Sequence, residues 1–164
     1  MSKTKNNLQE AFAGESQANR KYLAFAEKAE KDGYAQIAKL FRAAAAAETI
    51  HAHAHLKAMN GIGTTEENLK GAIAGETHEY ESMYPPMIES AVKEGNKAAE
   101  RSFRLANAVE KVHADLYKKA LEKMGSLEQT DYYVCKVCGH TIEGETQDKC
   151  PICGAAAKAF FKVD

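Results

Sequence analysis

Glu48-Thr49-Ile50-His51 is matched later in the chain by Glu110-Lys111-Val112-His113, and this pair decides how the rest is read. On a helix, residues three apart share a face, so each Glu and His can reach one metal ion together. A further carboxylate lies upstream of each: Glu15 in Ala11-Phe12-Ala13-Gly14-Glu15-Ser16, and Glu76 in Ala72-Ile73-Ala74-Gly75-Glu76-Thr77. These are near-copies of one phrase. Two Glu-x-x-His pairs, each joined by a Glu from another helix, form the donor set of a two-metal carboxylate centre inside a helix bundle.

The spacing makes the repeat explicit. Glu15 to Glu76 is 61 positions, while Glu48 to Glu110 and His51 to His113 are each 62. Residues from about 11 to 59 are therefore repeated from about 72 to 124, with roughly one residue inserted. Each half has a turn signal, Asp32-Gly33 and Glu94-Gly95. Glu15 lies 18 residues before Gly33 and Glu48 lies 15 after it; Glu76 lies 19 before Gly95 and Glu110 lies 15 after. Two helical hairpins closing at these glycines bring the carboxylates to one depth.

At 164 residues the chain has room for one ordinary domain, or one plus a small module. Charged residues make up 27% and balance to a net −1, which leaves no basic field for nucleic acid or an anionic membrane. The N-terminal stretch lacks the apolar run of a secretory signal, and no segment approaches transmembrane length. All four Cys fall between 135 and 153 in two close pairs, a pattern that reads as metal ligation and not as a disulfide framework. The expectation is a cytoplasmic, reduced protein.

Apolar periodicity predicts a helix over about 6–31 and a second over 34–59, with Ile37, Leu40, Phe41, Ala44 and Ala47 facing inward. Thr64-Thr65-Glu66-Glu67 reads as a capping box that opens a short helix to about 71, leading into a long third helix to 94. Pro85-Pro86 predicts a kink in it. A fourth helix is expected over 96–124. Beyond the polar connector 126–130 the sequence turns β-prone around the four Cys, in a stretch too small for a core of its own and so held by metal. Domains are expected at 1–126 and 127–164.

Carboxylates mixed with imidazole, without thiolate, suit iron or manganese over copper. Glu48 and Glu110 are placed to bridge two metals, with Glu15 and Glu76 as terminal carboxylates. The repeat breaks in one place: three residues after Glu15 is Ala18, but three after Glu76 is Glu79. That makes seven candidate ligands: Glu15, Glu48, His51, Glu76, Glu79, Glu110 and His113. A spare ligand lets one metal change its coordination with its charge, the oxidised state favouring anionic Glu79 and the reduced state neutral His51. Tyr22, two turns along from Glu15, and Tyr84 read as core or ligand-supporting tyrosines, with Tyr22 a candidate redox participant. His53, His55 and His78 read as surface or supporting histidines.

Cys135-Lys136-Val137-Cys138-Gly139 and Cys150-Pro151-Ile152-Cys153-Gly154 form a four-thiolate signal. Taken alone it favours zinc. Beside a redox-capable centre, one-electron Fe(Cys)₄ makes better chemical sense, because that centre needs a source of electrons.

Together these stretches resemble the rubrerythrins over nearly the whole chain, including Gly75-Glu76-Thr77-His78-Glu79-Tyr80-Glu81-Ser82-Met83-Tyr84-Pro85. The resemblance implies a mainly α fold: a ferritin-like four-helix bundle with a long crossover, then a small rubredoxin-like domain. It implies an oxo- or hydroxo-bridged di-iron site, with Glu15 and Glu79 (exchanging with His51) on one iron, Glu76 and His113 on the other, and Glu48 and Glu110 bridging. It implies a further iron, replaceable by zinc, on Cys135, Cys138, Cys150 and Cys153. The implied activity is a non-haem peroxidase of NADH-peroxidase type in oxidative-stress defence. Hydrogen peroxide would be reduced to water with electrons from NAD(P)H through a reductase or rubredoxin. Family members are commonly homodimers in which one subunit's rubredoxin-like centre serves the other's di-iron site. His140 departs from the aromatic residue that such knuckles often carry. Two other classes fit parts of the sequence: a ferroxidase that handles iron, and a non-catalytic zinc-ribbon interaction module.

Overall fold

The computed structural model describes residues 2–164, which divide into two compact units, one ending at Gly63 and one running from Thr64 to Asp164. The first is a helical hairpin. Helix α1 (Lys3–Lys31) starts at Ser2, whose hydroxyl accepts the Lys5 N–H, and ends at Asp32. Gly33 then adopts a φ of +86°, open to glycine at little cost, and α2 (Ala35–Ala58) folds back on α1. The seam is made of small residues: Ala26 and Ala29 on α1, and Ala38, Ala45 and Ala52 on α2, are buried. Asn19 is buried with them and donates its amide to Ala45 O at 2.7 Å and Thr49 Oγ1 at 2.8 Å.

Ile37 and Leu40, expected to face inward, are exposed, as is Ile50. Leu40 and Ile50 lie about 160° around the helix from the buried Ala38 and Ala52, so α1 cannot cover both faces of α2.

The second unit opens with the expected capping box. Thr64 Oγ1 accepts the Glu67 N–H at 3.2 Å, and Glu67 accepts the Thr64 N–H at 2.7 Å. Helix α3 (Thr65–His78) then runs unbroken, passing Gly71 and Gly75, where the sequence reading has a short helix ending near 71. A π-helical turn over Glu79–Met83 joins it to α4 (Tyr84–Lys93). The prolines sit in the first turn of α4, where a missing N–H costs least, and the disturbance falls in the five residues before them. A π-turn is one residue inserted into an α-helix. It holds the extra residue that separates Glu76 from Gly95 by 19 positions where Glu15 and Gly33 are 18 apart.

Gly95 makes the second hairpin turn with a φ of +69°, and Asn96 caps α5 (Lys97–Glu122) by accepting the Ala99 N–H. The duplication extends to the aromatic packing. Tyr22 lies 6.2 Å from Phe41, and Tyr84 lies 6.2 Å from Phe103, both partners being displaced by 62 positions.

The tail is a three-stranded antiparallel sheet in the order β2-β1-β3, from β1 (Tyr132–Cys135), β2 (Thr141–Glu143) and β3 (Phe160–Val163). Tyr133 pairs with Ile142 on one side and Lys162 on the other. The sheet meets α5 along β2: Lys119 donates to Glu143, which also accepts the Tyr132 hydroxyl at 3.0 Å. Among the described residues, no helix is long and apolar enough to cross a membrane.

Candidate metal centres

Each unit contributes one cluster of two carboxylates and an imidazole. Glu15, Glu48 and His51 converge in the first, and Glu76, Glu110 and His113 in the second, with the donor atoms of each set within 4.8 Å of one another. The clusters have the same geometry. His51 Nδ1 is 2.8 Å from Glu48 and 3.9 Å from Glu15; His113 Nδ1 is 2.9 Å from Glu110 and 3.9 Å from Glu76. In both, the three-residue spacing on one helix supplies the near carboxylate, and the helix that opens the unit, α1 or α3, supplies the far one. Burial, followed by repulsion from Glu110, raises the Glu76 carboxyl above its usual range, although His113 partly offsets this. Half-buried carboxylates crowded in this way are relieved by a bound cation.

The surroundings of the two imidazoles differ. The His113 side chain is 26% exposed and its Nε2 is 3.0 Å from Thr141 Oγ1, whereas His51 is 55% exposed and its Nε2 has no partner among the described residues. Glu79 lies in the π-turn and belongs to neither cluster, so the structure brings together six of the seven candidate ligands in two sets and leaves the seventh apart. It is nonetheless close to that chemistry. Burial, then the charges of Glu110, Glu79 and Glu76, raise the Tyr84 hydroxyl above its ordinary value. Tyr22 packs among Phe25 and Phe41, and its hydroxyl makes no hydrogen bond to a described residue. His53, His55 and His78 lie outside both clusters.

The four Cys form a third cluster. Cys135 and Cys153 sulfurs are 3.7 Å apart, and those of Cys138 and Cys150 are 3.6 Å apart. A tetrahedron with metal–sulfur bonds of about 2.3 Å has edges of about 3.8 Å, so the cage fits a metal ion. Backbone N–H groups of Val137 and Cys138 point at the Cys135 sulfur, and those of His140 and Ala155 at Cys138 and Cys153. Burial pushes the Cys138 thiol strongly upward, the cost of a thiolate without its cation. His140 is buried with Nδ1 unpartnered, edge-on to Phe160, and burial lowers its pKa, with the charge of His113 adding to the effect.

Sequence reasoning missed Thr141, Asn19 and the aromatic pairs Tyr22–Phe41 and Tyr84–Phe103. The last two carry a signal, since they sit at the repeat distance of 62. Thr141 carries none: it is 28 residues from His113 and reaches it only because β2 docks on α5.

Two family patterns match the chain, one after the other. The Rubrerythrin family pattern matches residues 6–121, and the pattern described as "Rubrerythrin, rubredoxin-like domain" matches residues 133–161. Rubrerythrin-2 of Clostridium acetobutylicum is 37% identical, with 96% of this chain and 95% of the relative covered. Nigerythrin of Nitratidesulfovibrio vulgaris is 38% identical, covering 92% and 81%. A solved structure of nigerythrin in its partially reduced state matches with a TM-score of 0.61 at 35% identity, covering 99% of this chain and 88% of that one. The helical part is thus a ferritin-like domain and the tail a rubredoxin-like one. Similarity that runs through both parts and nearly the full length of the relatives makes the chain a member of the rubrerythrin family.

Proposed function

We propose that the chain is a peroxidase that reduces hydrogen peroxide to water, with electrons from NAD(P)H delivered through a reductase or rubredoxin. The family carries a di-iron site and an Fe(Cys)₄ site and consists of di-iron proteins of oxidative stress. The observation that carries the reading is the pair of near-identical Glu–Glu–His clusters in a chain that also holds a four-thiolate cage. Glu15, Glu48, His51, Glu76, Glu79, Glu110 and His113 are assigned as di-iron ligands, with Glu48 and Glu110 bridging. Cys135, Cys138, Cys150 and Cys153 hold the third iron. The functional boundary is placed between residues 126 and 127.

When bound, the iron pair supplies the two electrons that, with two protons, convert one hydrogen peroxide into two waters. The chain's residues divide the remaining work. Glu76, Glu110 and His113 form the better-buried, hydrogen-bonded half of the ligand set, and His51 the exposed half. That difference supports His51 as the imidazole that gives way to Glu79 when the charge on its iron rises.

A homodimer in a reducing cytoplasm is part of this reading. The apolar Ile37, Leu40 and Ile50 are exposed on α2 and need cover.

The test is anaerobic. Iron-loaded, chemically reduced protein should consume one equivalent of hydrogen peroxide per di-iron site, and NAD(P)H with a reductase should sustain turnover. Cys138→Ser should keep the single equivalent while slowing NAD(P)H-linked turnover at least about tenfold. Loss of the single equivalent in that variant would contradict the division between the sites. Preferential uptake and oxidation of excess Fe(II) by dioxygen would favour the ferroxidase reading. Colourless, zinc-filled protein without peroxide consumption would favour an interaction module.

A further inference from the structure

The Cys-bearing tail does more than sit near α5: one of its side chains grips a candidate ligand. His113 Nε2 is 3.0 Å from Thr141 Oγ1, and Thr141 Oγ1 is 3.2 Å from Gly139 O. A threonine hydroxyl has one proton to give and two lone pairs to receive with. The Gly139 carbonyl can only accept, so it takes the Thr141 proton, and Thr141 is left to accept from His113. The proton of a neutral His113 is then on Nε2, which leaves Nδ1 bare. Nδ1 is the atom that faces Glu110 and Glu76, at 2.9 and 3.9 Å.

The carbonyl at the far end of this relay is itself held in place. Gly139 follows Cys138 in the knuckle, donates its N–H to Cys135 O at 2.8 Å, and has a φ of +84°. A Cβ added there would lie 3.8 Å from Val109 Cγ1 on α5, one residue before Glu110, so the knuckle rests directly on the helix that carries the ligands. His51, the repeat-related imidazole, has no such partner at Nε2 among the described residues.

We propose that Thr141 is a positioning residue for metal binding: it accepts the Nε2–H of His113, passes its own proton to Gly139 O, and so holds the imidazole with Nδ1 free for the metal. The rubredoxin-like tail thereby tunes a ligand of the carboxylate site. This rests on the assignment of His113 as a ligand. An outer hydrogen bond of this kind fixes the tautomer and orientation of a ligating His, and its loss typically lowers metal affinity 10- to 100-fold.

The test uses full-length chain with ¹⁵N-labelled His, loaded with Zn(II), and compares wild type with Thr141→Val and Thr141→Ser. Valine preserves the shape and suits strand β2; serine keeps the hydroxyl. In wild type, loading should move His113 Nδ1 to a metal-bound position while Nε2 keeps a slowly exchanging proton. In Thr141→Val, exchange of the Nε2 proton and release of zinc from this site to EDTA should each be about tenfold faster or more. Thr141→Ser should restore both. Wild-type exchange and release in Thr141→Val would overturn the proposal, as would a Thr141→Ser variant no better than Thr141→Val. If zinc loading leaves His113 Nδ1 unmoved in wild type, the assignment of His113 as a ligand fails first, and the proposal falls with it.

Discussion

Two residues, one in each unit, show how stability and function are separated in this chain. Asn19 is buried between α1 and α2 and donates twice across the hairpin, to Ala45 O and Thr49 Oγ1. Asn19→Ala should destabilise the metal-free protein by about 1–3 kcal/mol, because two hydrogen bonds across the seam are lost and Thr49 Oγ1 loses its donor. Urea denaturation of the metal-free forms measures this, and an unchanged midpoint would show that water satisfies the seam equally well. Glu79 represents the opposite case. It stands outside both ligand clusters, on a π-turn one residue wider than an α-turn. Glu79→Ala should therefore retain both irons of the carboxylate site by metal analysis, yet lower peroxide turnover at least about tenfold through loss of the carboxylate that matches the oxidised charge. Loss of an iron from the variant would make Glu79 a permanent ligand and not an exchanging one.

Among the elements, the seat of the small sheet on α5 is the contact most open to control. The hydrogen bond from Lys119 holds the Glu143 carboxyl below its ordinary value of 4.5, against the opposing effect of burial, and the Tyr132 hydroxyl adds to it. A depressed carboxylate stabilises docking fully above that ordinary value and loses its contribution as pH falls through the lowered one. The seat should thus be firm at neutral pH and loosen in acid. Glu143→Gln should bring the loosening to neutral pH, read as faster hydrogen exchange at the β2 amides of Thr141–Glu143. Unchanged exchange there would assign the docking to Val109, Gly139 and Thr141 alone.

For the whole molecule, the connection between α2 and α3 constrains how a di-iron site can be assembled. Seven peptide steps separate Ala58 from Thr65, a reach of no more than about 25 Å. Glu48 lies ten residues before the end of α2, and Glu76 eleven after the start of α3. In a bundle whose two repeats are related by a two-fold axis across the helices, α2 and α3 run the same way. With both glutamates at one depth, the ends to be joined are then about 30 Å apart. A bundle closed between two chains escapes this limit, which favours hairpin exchange in the proposed homodimer. Mixed dimers of a Glu48→Ala chain with a Glu110→Ala chain decide it. With exchange, one site collects both lesions and the other is intact, so about half the wild-type peroxidase activity returns. Without exchange, every site carries one lesion, and activity stays at the level of the single variants.

The sequence alone was enough to recognise the family and the two kinds of metal site it carries. The 62-residue offset, the two Glu-x-x-His pairs and the paired C-x-x-C-G knuckles depend on helical periodicity and on short local turns, which are local properties of the chain. Even the π-turn left a trace, as one residue too many between Glu76 and Gly95. Other features depended on which surfaces pack together. That Ile37 and Leu40 are exposed, that Asn19 bridges the hairpin, and that Glu79 stands apart from both clusters follows from helix rotation, which a periodic pattern specifies only to within a face. The tie between Thr141 and His113 was beyond any local signal. It joins two atoms 28 residues apart in the chain, and only the docking of β2 on α5 brings them within a hydrogen bond.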